Sequence, residues 1–235
     1  MIYLISDLHG YPHSRFIQLL NEAGFGKDDF LYILGDVIDR NGDGGVKTLE
    51  WLLYQPNVQL ILGNHEATLL ACSFLFDEID EDIEKKLTSD KLEMLYRYYM
   101  DGGEVTLRAM QKLPKETQED ILDYLRDCPL YELIGVGDKN YLLMHSGIEH
   151  FEKGKKLSEY ADDEFLWARP ELDERYFDDV MTVLGHTPTY AYGNEYKDKI
   201  IMTDTWIDID MGAGSGHEPV LLRLDDMREF RLGKE

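Results

Sequence analysis

Several things are scarce in this sequence of 235 residues, and each scarcity excludes something. Cys72 and Cys128 are its two cysteines. That is too few for the disulfide framework of a small secreted domain, and both read as reduced thiols packed in helix or turn contexts. Long apolar runs are missing: Leu31–Leu34 and Leu60–Leu62 fall far short of the roughly 20 residues that cross a bilayer. Neither a basic leader nor a small-residue cleavage site accompanies the strand-like Ile2–Ile5, so no secretion signal is expected and a cytoplasmic setting is. Basic residues are outnumbered, with 24 Lys and Arg against 47 Asp and Glu, a formal net charge of −23. Such a surface repels nucleic acid and anionic membranes, and neither is expected as a partner. It is equally awkward for a phosphorylated substrate unless cations are concentrated locally, as metals or as a few arginines.

What the sequence does contain is an ordinary globular mix, 43% hydrophobic and 30% charged, without repeats or low-complexity tracts. The first third alternates strand and helix signals. Strands are expected at Ile2–Ser6, Leu31–Leu34 and Val58–Leu62. Helices are expected after Pro12 (Phe16, Ile17, Leu19, Leu20) and around Leu49, Leu52 and Leu53. Strand–loop–helix units with polar residues at the strand ends indicate an α/β fold. Residues from about 67 to 130 read as predominantly helical. They include an acidic stretch, Asp77–Glu84, read as a solvated helix face, a segment Leu92–Met100, a break at Gly102–Gly103, and an amphipathic helix after Pro114. No flexible linker bounds this region, so it reads as a helical insertion within a single domain covering residues 1–235. The last third looks strand-rich: Tyr141–His145, Met181–Gly185, Ile200–Met202, Trp206–Asp210, Val220–Leu224 and Glu229–Leu232.

The chemistry sits at the strand ends. The first strand delivers Asp7 and His9, the second Asp36, Asp39 and Arg40, the third Asn64, His65 and Glu66. Later strands deliver His145 and His186. Oxygen and imidazole donors of this kind suit Mn, Fe or Zn better than Ca, which takes oxygen alone. Each motif has a structural explanation by itself: a turn cap for Asp36, a helix N-terminus for Asn64–Glu66, a hydrogen-bonded core residue for His145 or His186. Their joint occurrence in this order would require five coincidences.

The segments Ser6–Gly10 (SDLHG), Gly35–Arg40 (GDVIDR), Gly63–Glu66 (GNHE), Met144–Gly147 (MHSG) and Gly185–Pro188 (GHTP) resemble the signature of calcineurin-like metallophosphoesterases. Within that family they are most similar to the phosphoprotein phosphatase branch, which includes bacteriophage lambda phosphatase and bacterial diadenosine tetraphosphatases. The resemblance implies a four-layer sandwich: two mixed β-sheets packed face to face, flanked by helices, with the site at the carboxyl ends of the first strands. It implies two divalent metal ions, manganese first, with Fe or Zn as alternatives. Asp7, His9 and Asp36 would hold one ion; Asp36, Asn64, His145 and His186 would hold the other. Arg40, and Arg169 in the segment LWARP, would bind phosphate oxygens. His65 would be the general acid, with its imidazole held by Asp39.

Two cations so placed clamp a phosphoryl group and activate a water for in-line attack. The expected activity is therefore hydrolysis of phosphate monoesters, with phosphoserine or phosphothreonine in proteins as the leading substrate. A dinucleoside polyphosphate of the diadenosine tetraphosphate type, or another small phosphorylated molecule, is the alternative. A non-catalytic metal-binding scaffold is a second alternative, opposed by the complete residue set. Leu62 stands where the branch often carries Arg before the GNHE segment, a departure that bears on phosphoprotein as substrate and leaves every ligand in place.

Overall fold

The computed structural model describes residues 1–76 and 88–233. Among the described residues, ten strands form two sheets of five. In the first, β1 (Ile2–Ile5) lies parallel to β2 (Phe30–Ile33), and β2 lies parallel to β3 (Val58–Leu60). Parallel neighbours need crossover connections. Helix α1 (His13–Ala23) supplies the first and α2 (Val46–Leu52) the second. Pro12 immediately precedes α1, and Gly24 ends it at φ +76°, a left-handed conformation that costs glycine little. The strand β9 (Leu221–Arg223), antiparallel to β1, and β10 (Arg228–Phe230), antiparallel to β9, complete this sheet, giving the order β10-β9-β1-β2-β3.

The second sheet has the order β4-β5-β6-β8-β7, from β4 (Tyr131–Val136), β5 (Lys139–Met144), β6 (Met181–Leu184), β7 (Ile201–Met202) and β8 (Trp206–Asp208). The alternation of side chains along each strand assigns the layers. Leu4 and Leu222 of the first sheet meet Leu143, Val183 and Ile207 of the second in one buried cluster, so the sheets pack face to face. Tyr3, Ile5, Leu31 and Ile33 point the other way, onto α1, α2 and the helices α3 (Asn64–Ala71) and α6 (Lys115–Arg126). Leu4, Ile5, Leu31 and Ile33 are fully buried, and each stabilises the fold by about 1.5–3 kcal/mol relative to exposure. Leu142, Leu184 and Trp206 on the far face of the second sheet are covered by Phe165, Tyr160 and Tyr176. That covering comes from short 3₁₀ turns, such as Leu157–Glu159 and Asp162–Phe165, rather than from long helices. The expected four layers are present.

Between β3 and β4 run α3, a 3₁₀ turn (Ser73–Phe76), α4 (Ser89–Tyr98), α5 (Glu104–Met110) and α6. The helix expected over Leu92–Met100 is α4. The break at Gly102 is a kink with φ +97°, where a β-carbon would lie 2.9 Å from Cγ of Arg40. The acidic stretch Asp77–Glu84 lies outside the described residues. One strand was not expected: β4, a half-exposed edge strand interrupted by Gly135, with Leu133 facing solvent.

Candidate active site

Five strands of the two sheets end at one place. Asp7 and His9 follow β1; Asp36, Asp39 and Arg40 follow β2; Asn64 and His65 open α3 just after β3. His145 follows β5 and His186 follows β6. All the metal-ligating residues expected from sequence are brought together here, and Asp7, His9, Asp36, Asn64, His145 and His186 are all buried. Asp36 lies at the centre. Its Oδ2 is 3.5 Å from Nε2 of His9 and 3.9 Å from Nε2 of His65, and its Oδ1 is 3.5 Å from Nε2 of His145. Two groups thus share Asp36, one with His9 and His65, the other with His145 and His186. Asp7 Oδ1 is 3.9 Å from His9 Nε2, and Asn64 Oδ1 is 2.8 Å from His145 Nε2.

The imidazoles are oriented by the backbone. His9 Nδ1 is 3.0 Å from the carbonyl of Ile38, and His145 Nδ1 is 2.8 Å from the carbonyl of Leu34. Both Nε2 atoms are thereby turned into the site. The turns that carry these residues are strained. Asp7, His9, Asp36, Asp39, Arg40 and His186 all have positive φ, between 42° and 76°, in a region sparsely populated by residues other than glycine. Gly63 belongs to the same arrangement: a β-carbon there would sit 2.3 Å from Oδ1 of Asp36.

A residue whose role the sequence did not reveal holds these turns. The fully buried Glu66 accepts hydrogen bonds from four backbone N–H groups: Asp36 and Gly63 on Oε2, Val37 and Ile38 on Oε1, at 2.8–3.3 Å. Its contact with the N–H of Gly63, three residues earlier, is the glutamate half of a capping box, the glycine having no side chain to return it. That pattern was a legible signal, although nothing in it announced the link to the second strand's loop.

His65 is fixed on both sides. Its Nδ1 is 2.6 Å from Asp39 Oδ2, and Asp39 Oδ1 accepts from the hydroxyls of Tyr98 (2.8 Å) and Thr106 (2.5 Å). Burial opposes charge on His65, but Asp36 and Asp39 outweigh it and lift the imidazole to about 9. Burial depresses His9 to about 3 and His186 further still, and it raises Asp7 to about 6. Asp36 falls well below the ordinary carboxylate range. Burial works against its charge, and the imidazoles of His145, His65, His9 and His186 prevail. The Arg40 guanidinium reaches Nε2 of both His9 and His65 at 3.1 Å. It also donates to Oδ1 of Asp101 (3.2 Å), a carboxylate whose Oδ2 lies 3.4 Å from His65 Nε2. Arg169 stands on the rim and donates to Thr187 Oγ1 (3.2 Å), beside His186. Asp101, Tyr98 and Thr106 come from the helical segment after β3, and no local sequence signal connected them to the site.

Fold and donor set define an α/β sandwich protein with a clustered donor set suited to divalent cations at its strand ends. A profile of the family described as calcineurin-like phosphoesterase matches residues 1–220, and the chain belongs to that family. Among curated relatives, it is 31% identical over 151 residues to the symmetrical bis(5'-nucleosyl)-tetraphosphatase of Actinobacillus succinogenes, covering 62% of this chain and 44% of that protein. The protein of the same name from Salmonella paratyphi C is 30% identical over 148 residues, covering 62% and 43%. The chain thus spans under half the length of these relatives. A solved structure provisionally described as a diadenosine tetraphosphatase superposes with a TM-score of 0.63 at 17% identity, covering 98% of this chain and 92% of that one. A serine/threonine phosphatase from Saccharomyces cerevisiae gives 0.55 at 16%, covering 100% and 80%. At such identities these two likenesses speak for the fold alone.

Proposed function

We propose that this protein is a metal-dependent phosphohydrolase acting on a small phosphorylated molecule. The observation that carries this reading is the buried Asp36, whose two carboxylate oxygens face separate imidazole groups, with His9 on one side and His145 on the other. In this reading Asp7, His9 and Asp36 hold one divalent ion, and Asp36, Asn64, His145 and His186 hold the second. The donors fit such a pair. Asp7 Oδ1 is buried without any hydrogen-bond partner, an expense that a cation offsets, and Nδ1 of His186 faces Nε2 of His145 at 3.2 Å, two imidazole nitrogens that a shared cation would hold. The Nδ1 contacts of His9 and His145 with backbone carbonyls are the outer-shell support that metal-bound histidines ordinarily have. Mn, Fe and Zn all suit the set. When bound, such a pair withdraws charge from a phosphoryl group and lowers the pKa of the water it holds.

The chain's own groups supply the rest. Arg40 and Arg169 offer fork donors to the phosphoryl oxygens as charge builds there. The bond that forms joins a water oxygen to phosphorus. The bond that breaks is phosphorus to the leaving oxygen, and that oxygen takes the proton on Nε2 of His65. Asp39 holds the imidazole in the tautomer that keeps this proton available.

The sequence pattern put phosphoserine and phosphothreonine first among substrates. The names of the relatives, bis(5'-nucleosyl)-tetraphosphatases, favour a small phosphorylated molecule instead. The test is phosphate release from diadenosine tetraphosphate, an aryl phosphate and a phosphoserine peptide, with chelated protein and again after Mn²⁺ addition. Turnover should need the metal and favour the small substrates. Full activity in chelated protein, or hydrolysis confined to the phosphopeptide, would overturn the reading.

A further inference from the structure

In the reading above, a phosphate ester offers one phosphoryl oxygen to the guanidinium of Arg40 and its leaving oxygen to Nε2 of His65. A carboxylate of the chain already meets both groups. Oδ1 of Asp101 accepts from Nη2 of Arg40 at 3.2 Å, and Oδ2 of the same side chain lies 3.4 Å from Nε2 of His65. The two oxygens of a carboxylate are spaced and charged much like two oxygens of a phosphoryl group, so both suit the same guanidinium fork. Asp101 therefore stands where two oxygens of the substrate would stand.

The backbone under Asp101 is fixed, while its side chain is open. On either side of it, the hydroxyls of Tyr98 and Thr106 donate to Oδ1 of Asp39, and the carbonyl of Gly102 accepts from Arg40 N at 3.1 Å. The Asp101 side chain itself is 52% exposed. It lines a cavity of about 540 Å³ with Ala67, Met94 and Trp167, and this is room into which it can turn. An ion pair so open holds its partners only up to about fivefold over the separated state. Nor does Arg40 depend on Asp101 for its place. Its Cγ lies against Gly102, where a β-carbon would come within 2.9 Å, and its Nη1 lies against Gly214, where a β-carbon would come within 3.0 Å. Backbone on two sides already aims the guanidinium, so the carboxylate covers it without being needed to position it.

We propose that Asp101 is an internal competitor for the phosphoryl subsite. Its carboxylate caps Arg40 and His65 in the resting site, and the incoming phosphoryl group turns it aside into the neighbouring cavity. The proposal rests on the phosphohydrolase reading and adds to it the residue that sets the affinity for phosphate. A ligand's apparent affinity falls by the fraction of time its subsite is covered. The same return of the carboxylate after turnover helps to expel inorganic phosphate.

The experiment uses the full chain loaded with Mn²⁺, with phenyl phosphate as substrate and inorganic phosphate as competitive inhibitor. Asp101→Ala should tighten phosphate inhibition by about five- to tenfold and lower KM in step, with kcat unchanged or reduced. Asp101→Asn, which keeps an oxygen for Arg40 and loses the charge, should fall between wild type and Asp101→Ala. Asp90→Asn removes a charge from the same cavity and should leave phosphate inhibition within about twofold. A crystal of the loaded protein with phosphate bound should show the Asp101 carboxylate turned away from Arg40. Weaker phosphate inhibition in Asp101→Ala would make Asp101 an anchor for Arg40 and overturn the proposal. So would an equal gain from Asp90→Asn, which would make bulk charge the cause, or a phosphate complex in which Asp101 stays on Arg40. A loaded wild type that turns over neither phenyl phosphate nor diadenosine tetraphosphate would instead sink the phosphohydrolase reading, and the proposal with it.

Discussion

Replacing Asp39 by Asn isolates the proton donor. The wild-type carboxylate accepts from Nδ1 of His65 at 2.6 Å, and its other oxygen is tied to Tyr98 and Thr106. Those hydroxyls will keep an Asn oxygen on their side and turn the Asn NH₂ towards His65. The imidazole must then present a bare Nδ1, which makes it a neutral ring with its one proton on Nε2. The rise of His65 from 6.5 to about 9 corresponds to about 3 kcal/mol in favour of imidazolium, shared between Asp36 and Asp39. Cations bound to Asp36 would offset its share, leaving Asp39 as the principal support of the proton. General acid catalysis contributes roughly 10²–10⁴-fold, so Asp39→Asn should slow an alkyl phosphate by about 10²-fold. Nitrophenyl phosphate, whose leaving group departs without a proton, should lose less than about tenfold. The alkaline limb of kcat/KM should move to lower pH, while metal content, read by atomic emission, stays at the wild-type level. Equal losses on both substrates, or an unmoved alkaline limb, would refute the assignment of His65 as acid and of Asp39 as its support.

Other changes should separate the remaining roles. His65→Asn should retain metal and lose alkyl phosphate turnover by roughly 10²–10⁴-fold, whereas His186→Asn should lose metal along with activity; metal analysis beside turnover tells them apart. Asp36→Asn should lower metal content more than His186→Asn, because Asp36 serves both groups. Glu66→Gln turns an acceptor into a donor facing two buried N–H groups, a loss of about 2–6 kcal/mol, to be measured by denaturant unfolding at pH 8. Without metal, stability should fall as pH rises from 6.5 to 9. The folded pKa of His65, about 9, exceeds its ordinary 6.5, so its contribution is complete below 6.5 and lost through 9; His65→Asn should flatten that slope.

The parts of the fold legible in the sequence were those where one periodicity acts alone. The strands β1 to β3 are short, mainly apolar runs with one face fully buried and the other partly covered, and their ends fell within two residues of the expected bounds. The edge strand β4 escaped because it is half exposed and carries Gly135, so neither an apolar run nor clean alternation marks it. At the site, side chains that act through their own identity were visible: a His or Asp after an apolar run stands out wherever it occurs. Asp101, Tyr98 and Thr106 were not, because each acts through a contact made some 60 residues away from its partner along the chain. An acidic residue before two glycines in a helical stretch looks like a solvated helix end. Its place between Arg40 and His65 depends on how the kink at Gly102 docks.

The left-handed turns under Asp7, His9, Asp36, Asp39, Arg40 and His186 also bear on transplantation. Grafting these side chains onto a regular strand or helix of another scaffold would give the right atoms on the wrong backbone. In such elements successive side chains diverge by fixed angles, whereas here each turn reverses that divergence. The portable unit is the set of five strand ends with their turns and the Glu66 carboxylate that binds two of those turns together. A designer would have to import the strain together with the ligands, on a core stable enough to bear it.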